Sequence, residues 1–396
     1  MRRTTSSVLV AALVSGVAGY VVLVLAARAL DPAANARFLV FWGAMFAVFG
    51  TLIGITTETT RTVFAGRDDR ALGARLVPVT LSVGAVIAAA VGISGPLWAP
   101  ELFGEDWLVL LSAMVVGVVL FVVHATLGGA AAGLAEWRTY STLVGLESVV
   151  RLLLCAVVVA VGAHANALAW AVAGACGTWV LLSSVSPGLR RLWGVRADVA
   201  PRGLLRRLAT ACTASGVSAL LLVGYPVLLS ATTPDGVFDG AAPLLLAVSL
   251  CRAPLLVPLG AYQNVVVTRV ALHGVRALVP VLAGLAGLTI VGALAAWPVG
   301  PWALRVVNPD YHLPGPVFAG LVLGAGLVAL LTVTGAAALA LDHHTVYLAG
   351  WVAATLTAII TLLVPWSLDV RVVASLLTGP AVGVAVHLVW GHRRVG

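Results

Sequence analysis

Twelve long apolar stretches run through this chain, and most of its arginines fall on alternate connections between them. No soluble core of 396 residues needs so many. About 20 apolar residues in helical form cross the hydrocarbon of a bilayer. Strands with open edges cannot be satisfied there, because lipid offers no hydrogen bonds. The pattern predicts an all-α integral membrane protein of about 12 transmembrane helices. The spans read as roughly 8–30, 38–58, 76–97, 107–130, 142–162, 167–186, 208–231, 241–266, 277–297, 315–341, 345–365 and 371–391. Apolar residues make up 61% of the chain and charged residues 10%, as a lipid-embedded body requires.

The arginines orient it. All 23 basic residues are arginine. Seventeen fall on one side: Arg2 and Arg3, Arg61 to Arg75 in the second loop, Arg138, six between Arg190 and Arg207, Arg269 and Arg276, and Arg393 and Arg394. Only Arg28, Arg37, Arg305 and Arg371 fall on the other, where the loops carry Asp31, Glu101, Glu105, Asp106, Asp235, Asp239, Asp310 and Asp369. The positive-inside rule then puts both termini in the cytoplasm. The run from Val8 to Leu30 exceeds a signal-peptide core and reads as a retained first span. The longest basic connection separates six spans from six. This gives an N-terminal six-helix lobe at 1–190, a basic cytoplasmic linker at 191–207 and a C-terminal six-helix lobe at 208–396.

Several function classes are absent from the motifs. The net charge of +8 sits in short loops beside spans, where anionic headgroups attract it, so the expected partner is membrane lipid rather than nucleic acid. No Walker loop, GxSxG or HExxH motif is present. Cys155, Cys176, Cys212 and Cys251 lie singly inside apolar stretches and read as small hydrophobes. No cofactor or metal is expected. Gly129 and Gly133, Gly320 and Gly324, and Gly379 and Gly383 have the spacing that lets helices approach closely.

Ionisable residues inside spans are costly and become site candidates. Glu147 and Arg151 are spaced i, i+4 on one helix face, acid first, the favourable order for a pair. They read either as a self-neutralising pair or as an anion site, since guanidinium offers bidentate donors and stays charged. His124 is a packing residue or a proton relay. Glu58 with Arg61 forms an interfacial cluster and a candidate cytoplasmic gate. Arg252 sits mid-span among Pro243, Pro254 and Pro258, which would kink its helix, and Gln263 extends that polar character. Tyr225-Pro226 is a candidate second hinge.

These features together resemble a family. Ala26-Ala27-Arg28-Ala29-Leu30-Asp31-Pro32 followed by Arg37-Phe38 is similar to the first loop of polysaccharide-export and lipid-linked-oligosaccharide flippases. Those belong to the multidrug/oligosaccharidyl-lipid/polysaccharide (MOP) exporter superfamily. This chain departs at Asn35-Ala36, where Tyr-Gly is more usual. Glu58-Thr59-Thr60-Arg61 resembles the end of their second helix. The best match runs over 129–151, with Trp137-Arg138-Thr139-Tyr140, Glu147 and Arg151. Arg252-Ala253-Pro254-Leu255 resembles their eighth helix, without the proline common after Gln263.

The resemblance implies a two-lobed transporter of the bacterial cytoplasmic membrane that hydrolyses no ATP and is not an enzyme. By alternating access it would flip a polyprenyl-pyrophosphate-linked oligosaccharide or export a polysaccharide precursor. It would act as a monomer beside the other proteins of a polysaccharide assembly pathway. Arg151, Arg252, Glu147, His124 and Gln263 would line the substrate cavity. A small-molecule or drug antiporter, of multidrug-extrusion or major-facilitator type, is the alternative. Gly66-Arg67-Asp68-Asp69-Arg70 loosely resembles the facilitator loop. A polytopic glycosyltransferase or polymerase is the remaining reading, with Asp310 its lone catalytic candidate.

Overall fold

A chain whose backbone must bond to itself in lipid closes each hydrogen bond within a helix. The computed structural model obeys that constraint over residues 2–66, 73–162, 164–255, 259, 278–341 and 343–393, the residues it describes. The long helices are α1 (Arg2–Ala29), α2 (Pro32–Ala65), α3 (Leu76–Phe103), α4 (Trp107–Gly133) and α5 (Trp137–Ala160). Shorter ones follow: α6 (Ala165–Ala175), α7 (Thr178–Val185), α8 (Pro187–Leu192), α9 (Pro201–Leu222), α10 (Tyr225–Ala231), α11 (Asp235–Phe238) and α12 (Ala242–Leu255). The chain closes with α13 (Val279–Val307), α14 (Gly315–Ala340), α15 (His344–Leu362) and α16 (Leu368–Arg393). Prolines open α8 and α9 at positions where a backbone donor is spare anyway. Gly104 and Gly162 end α3 and α5 with φ of 66° and 98°, a left-handed turn that a side chain would strain.

Among the described residues, nine segments are long and apolar enough to cross a membrane, or ten with the bent pair α9 and α10. That pair is bent by 66° at residues 223–224, directly before Tyr225-Pro226. One of the nine, Leu76–Gly133, is a helical hairpin of 58 residues. Gly84 of α3 abuts Val122 of α4, Gly95 abuts Leu111, and Thr126 Oγ1 donates to Thr80 Oγ1 at 2.8 Å. Rising numbers on α3 meet falling numbers on α4, so the helices run antiparallel. Large apolar side chains face outward: Ile93 and Leu97 are each 82% exposed. In water such a surface would aggregate, whereas lipid is its natural solvent.

The chain divides into two compact units. Unit 1 is Met1–Leu30 with Arg37–Val227, and unit 2 is Asp31–Ala36 with Leu228–Gly396. In unit 1, α1 packs on α5, α3 on α4, and α4 on α5 and α6. In unit 2, α13 packs on α14, and α14, α15 and α16 pack on one another. The glycine pairs lie where these helices come closest. A Cβ at Gly129 or Gly133 would meet the Thr56 or Thr60 carbonyl of α2 at 2.7 or 2.8 Å. Gly320 and Gly324 face Val373 and Leu376, and Gly379 and Gly383 face the backbone of α15.

The division falls at residues 227–228, past the basic 191–207 connection that separates six expected spans from six. Close packing is the reason. Gly54 of α2 lies against the backbone of Ala211 and Cys212 of α9, and Gly216 of α9 against Thr51 of α2. The connection itself is no free tether. Arg75 and Arg196 form an antiparallel bridge, with Ala74 N donating to Val199 O at 2.9 Å and Ala197 N to Ala74 O at 2.8 Å.

Candidate functional site

The interior of unit 1 gathers three of the residues that the sequence singled out. Glu147 and Arg151 of α5 are 5% and 8% exposed. One turn of helix separates them, and Arg151 Nη2 donates to Glu147 Oε1 at 2.7 Å and Oε2 at 2.5 Å. A single nitrogen therefore serves both carboxylate oxygens. Arg151 Nε is buried and makes no hydrogen bond. The Ser148 hydroxyl lies 3.3 Å from Glu147 Oε2 and 2.7 Å from Ser15 Oγ of α1.

Aromatic rings surround the pair. The Arg151 guanidinium carbon sits 5.1 Å from the Phe46 ring centroid, a cation–π contact. Trp42 stacks on Phe46 at 4.3 Å, Phe49 stacks on Phe121 at 4.1 Å, and Phe121 stacks on His124 at 5.6 Å. Helical spacing explains the array: Trp42, Phe46 and Phe49 fall on one face of α2, and Phe121 and His124 on one face of α4. The glycines of α4 bring that face against α2, where Thr56 and Thr60 donate to the Ala125 and Gly129 carbonyls at 3.2 Å. His124 is buried, its Nδ1 has no hydrogen-bond partner, and it lies within electrostatic reach of both Glu147 and Arg151.

Glu58 and Arg61 pair one helix-end away, with Arg61 Nε donating to Oε2 at 2.8 Å and Nη2 to Oε1 at 2.5 Å. Glu58 is buried and Arg61 exposed. Sequence reasoning missed the neighbour that makes this a network. Thr62 hydrogen-bonds Asp198, and Arg207 Nη1 donates to both Asp198 oxygens at 3.1 and 3.2 Å. Partial burial raises the Asp198 carboxyl, but the hydrogen bonds from Thr62 and Arg207, with the charges of Arg207 and Arg61, outweigh it and hold it below its ordinary range. A lone acid in a strongly basic loop was the available signal.

The remaining candidates lie in unit 2 or outside the described residues. Arg252 is buried on α12, two residues before Pro254. Gln263 and Pro258 lie outside the described residues. Unit 2 holds two buried polar contacts that no motif flagged. His387 of α16 has Nδ1 2.9 Å from Thr334 Oγ1 and Nε2 3.3 Å from the Tyr347 carbonyl, and its ring fills the space that a side chain at Gly350 would need. Asn35 Nδ2 donates to the Tyr311 hydroxyl at 2.8 Å, with both residues buried. Asn35 is the very position at which the chain departs from the first-loop pattern.

Comparison with known proteins places this architecture. The chain is 39% identical over 382 residues to the Mycobacterium tuberculosis protein Rv1510, covering 95% of this chain and 88% of that one. It is 38% identical over 387 residues to Rv3630 of the same organism, covering 96% and 90%. The chain belongs to the family of these mycobacterial proteins. No family model matches it. Among solved structures, an inward-facing multidrug resistance MATE transporter of the MOP superfamily superposes with a TM-score of 0.72, at 16% identity, covering 96% of this chain and 94% of that one. An outward-facing form gives 0.68 at 14% identity, over 99% and 94%. A MOP superfamily transporter from Pyrococcus furiosus, described as having a binding pocket of reversed polarity, gives 0.67 at 14%, over 99% and 95%. The family member described here thus shares the fold of these solved transporters and is a multi-pass membrane protein.

Proposed function

We propose that this protein is a transporter of the bacterial cytoplasmic membrane that moves a polyprenyl-pyrophosphate-linked oligosaccharide, or a polysaccharide precursor, across the bilayer by alternating access. In this reading it has twelve spans in a six-plus-six plan, cytoplasmic termini and no enzymatic role. It works as a monomer within a polysaccharide assembly pathway. The observation that carries it is the buried Arg151, with an unused Nε edge at membrane depth. A pyrophosphate head leaving water loses its hydration, and a charge-assisted bidentate bond from guanidinium offsets that loss. Arg252, buried in unit 2, and Gln263, outside the described residues, are further candidates for substrate contact in this reading. The Glu58–Arg61 cluster, tied by Thr62 to the docked basic loop, would serve as the cytoplasmic gate.

Extrusion of an organic cation is the second reading. Trp42, Phe46, Phe49 and Phe121 beside a carboxylate suit a cationic aromatic ligand. Liposomes holding the purified protein separate the two. We expect transbilayer movement of a labelled polyprenyl-pyrophosphate oligosaccharide and none of a cationic dye. Movement of the dye alone would transfer the assignment to drug extrusion.

A further inference from the structure

Glu147 and Arg151 form a closed pair, and a closed pair offers an anion no net charge. That is a difficulty for any anion site here. A pyrophosphate diester carries two fixed negative charges. If Glu147 stayed ionised, the loaded site would hold three negative charges on one guanidinium in a low-dielectric interior. Yet the pair is built loosely on the arginine side. Only Nη2 reaches the carboxylate, and the buried Nε is left without a partner. The Nε donor is therefore unused, and an oxyanion that took Nε together with Nη2 would make the bidentate bond that the carboxylate does not make.

Resting on the anion-transport reading above, we propose that Glu147 is a built-in stand-in for the substrate's phosphate. An incoming pyrophosphate displaces it from Arg151, and the released carboxylate takes a proton from water. The charge count favours the exchange. With Glu147 neutral, the loaded site carries one excess negative charge in place of two. A carboxylate left without its cation in an apolar interior has nothing to offset its charge, and a proton removes that charge. When the anion leaves, Arg151 recaptures Glu147 and the proton returns to water. Substrate binding and proton binding are then one linked equilibrium.

The surroundings of the Glu147–Arg151 pair assign the proton. Its own helix presents Arg151, Ser148 and, two turns on, Cys155. From α4 comes His124, from the end of α6 Cys176, from α1 the hydroxyl of Ser15, and from α2 the ring of Phe46. His124 is the one competing proton acceptor in this set. It stacks on Phe121 and makes no bond to the carboxylate. Glu147 is the group that loses its cationic partner in the exchange.

Calorimetry of the full-length protein with UDP-glucose tests this. That probe is a soluble pyrophosphate diester whose two charges are fixed near neutral pH. Titrations in two buffers of different ionisation enthalpy count the protons taken up. We expect uptake of about one proton per bound anion for the wild type at neutral pH. Glu147→Gln should bind at least as tightly with no uptake, and His124→Gln should keep the wild-type count. Binding by the wild type without uptake would overturn the exchange while leaving the anion site standing. Uptake that survives in Glu147→Gln, or that vanishes only in His124→Gln, would also overturn it. No binding by the wild type at all would overturn the anion-transport reading itself. The wild-type count stands even if Glu147→Gln fails to fold.

Discussion

Two buried polar clusters, one around His387 in unit 2 and one around Arg151 in unit 1, solve the same problem, polar groups inside an apolar bundle, in opposite ways. In unit 2, His387 has both ring nitrogens engaged, one by Thr334 and one by the Tyr347 carbonyl, and glycine is carved out beneath its ring. No titratable residue lies on α14, so the contact is a satisfied packing device joining α14, α15 and α16. In the cluster around Arg151 the polar groups are charged or ionisable and incompletely bonded. Arg151 Nε and His124 Nδ1 are buried with no hydrogen bond, among rings rather than aliphatic side chains. A network whose bonds close within the helices has little to give a ligand. One that leaves strong donors open is what a ligand can complete.

Breaking the pair in unit 1 should have the largest effect. Arg151→Ala leaves a buried carboxylate without its cation, a loss of about 3–5 kcal/mol where such pairs are cut. We expect a lowered melting temperature in detergent and at least ~100-fold slower glycolipid movement. Replacing both partners by apolar residues of similar size, Glu147→Leu with Arg151→Met, should restore much of the stability and none of the transport. That result would separate the two roles of the pair.

In unit 2 the comparison predicts stability without function. Gly350→Ala pushes a methyl into the His387 ring and should cost about 1–3 kcal/mol. Transport per folded molecule should stay near wild type. A selective loss of transport would break the contrast between the units. Tyr311→Phe removes the acceptor of the buried Asn35 amide and should cost about 1–2 kcal/mol by thermal denaturation.

Asp198→Asn should matter least. Its carboxyl is held below the ordinary range in the folded protein. The stabilisation is therefore present at neutral pH and lost as pH falls below about 4, through the folded value. Because Arg207 is more than a third exposed, the effect should stay under ~1 kcal/mol. Melting curves of wild type and variant should converge in acid.

How much of this was legible depended on sequence distance. Apolar length announced the helices, and the spacing of Glu147 and Arg151 announced a pair, because both signals are local. The glycine pairs at 129 and 133, 320 and 324, and 379 and 383 were readable for the same reason, and each lies at a close helix approach. What escaped were contacts assembled from afar. Asn35 meets Tyr311 across 276 residues, Thr62 meets Asp198 across 136, and Thr334 meets His387 across 53. Nothing in the local pattern of any of these residues names its partner. The basic 191–207 connection shows the same limit. Its composition names a basic cytoplasmic linker but not its partners: its backbone pairs with residues 74–76 and its one acid ties it to the end of α2.

The most direct test of the central claim compares the two units in one assay. Liposomes would hold wild type, Arg151→Gln or His387→Gln at matched folded content, with a labelled polyprenyl-pyrophosphate oligosaccharide in the bilayer. The account predicts movement by wild type and His387→Gln and its loss in Arg151→Gln. Wild-type movement by Arg151→Gln, with loss in His387→Gln, would contradict it.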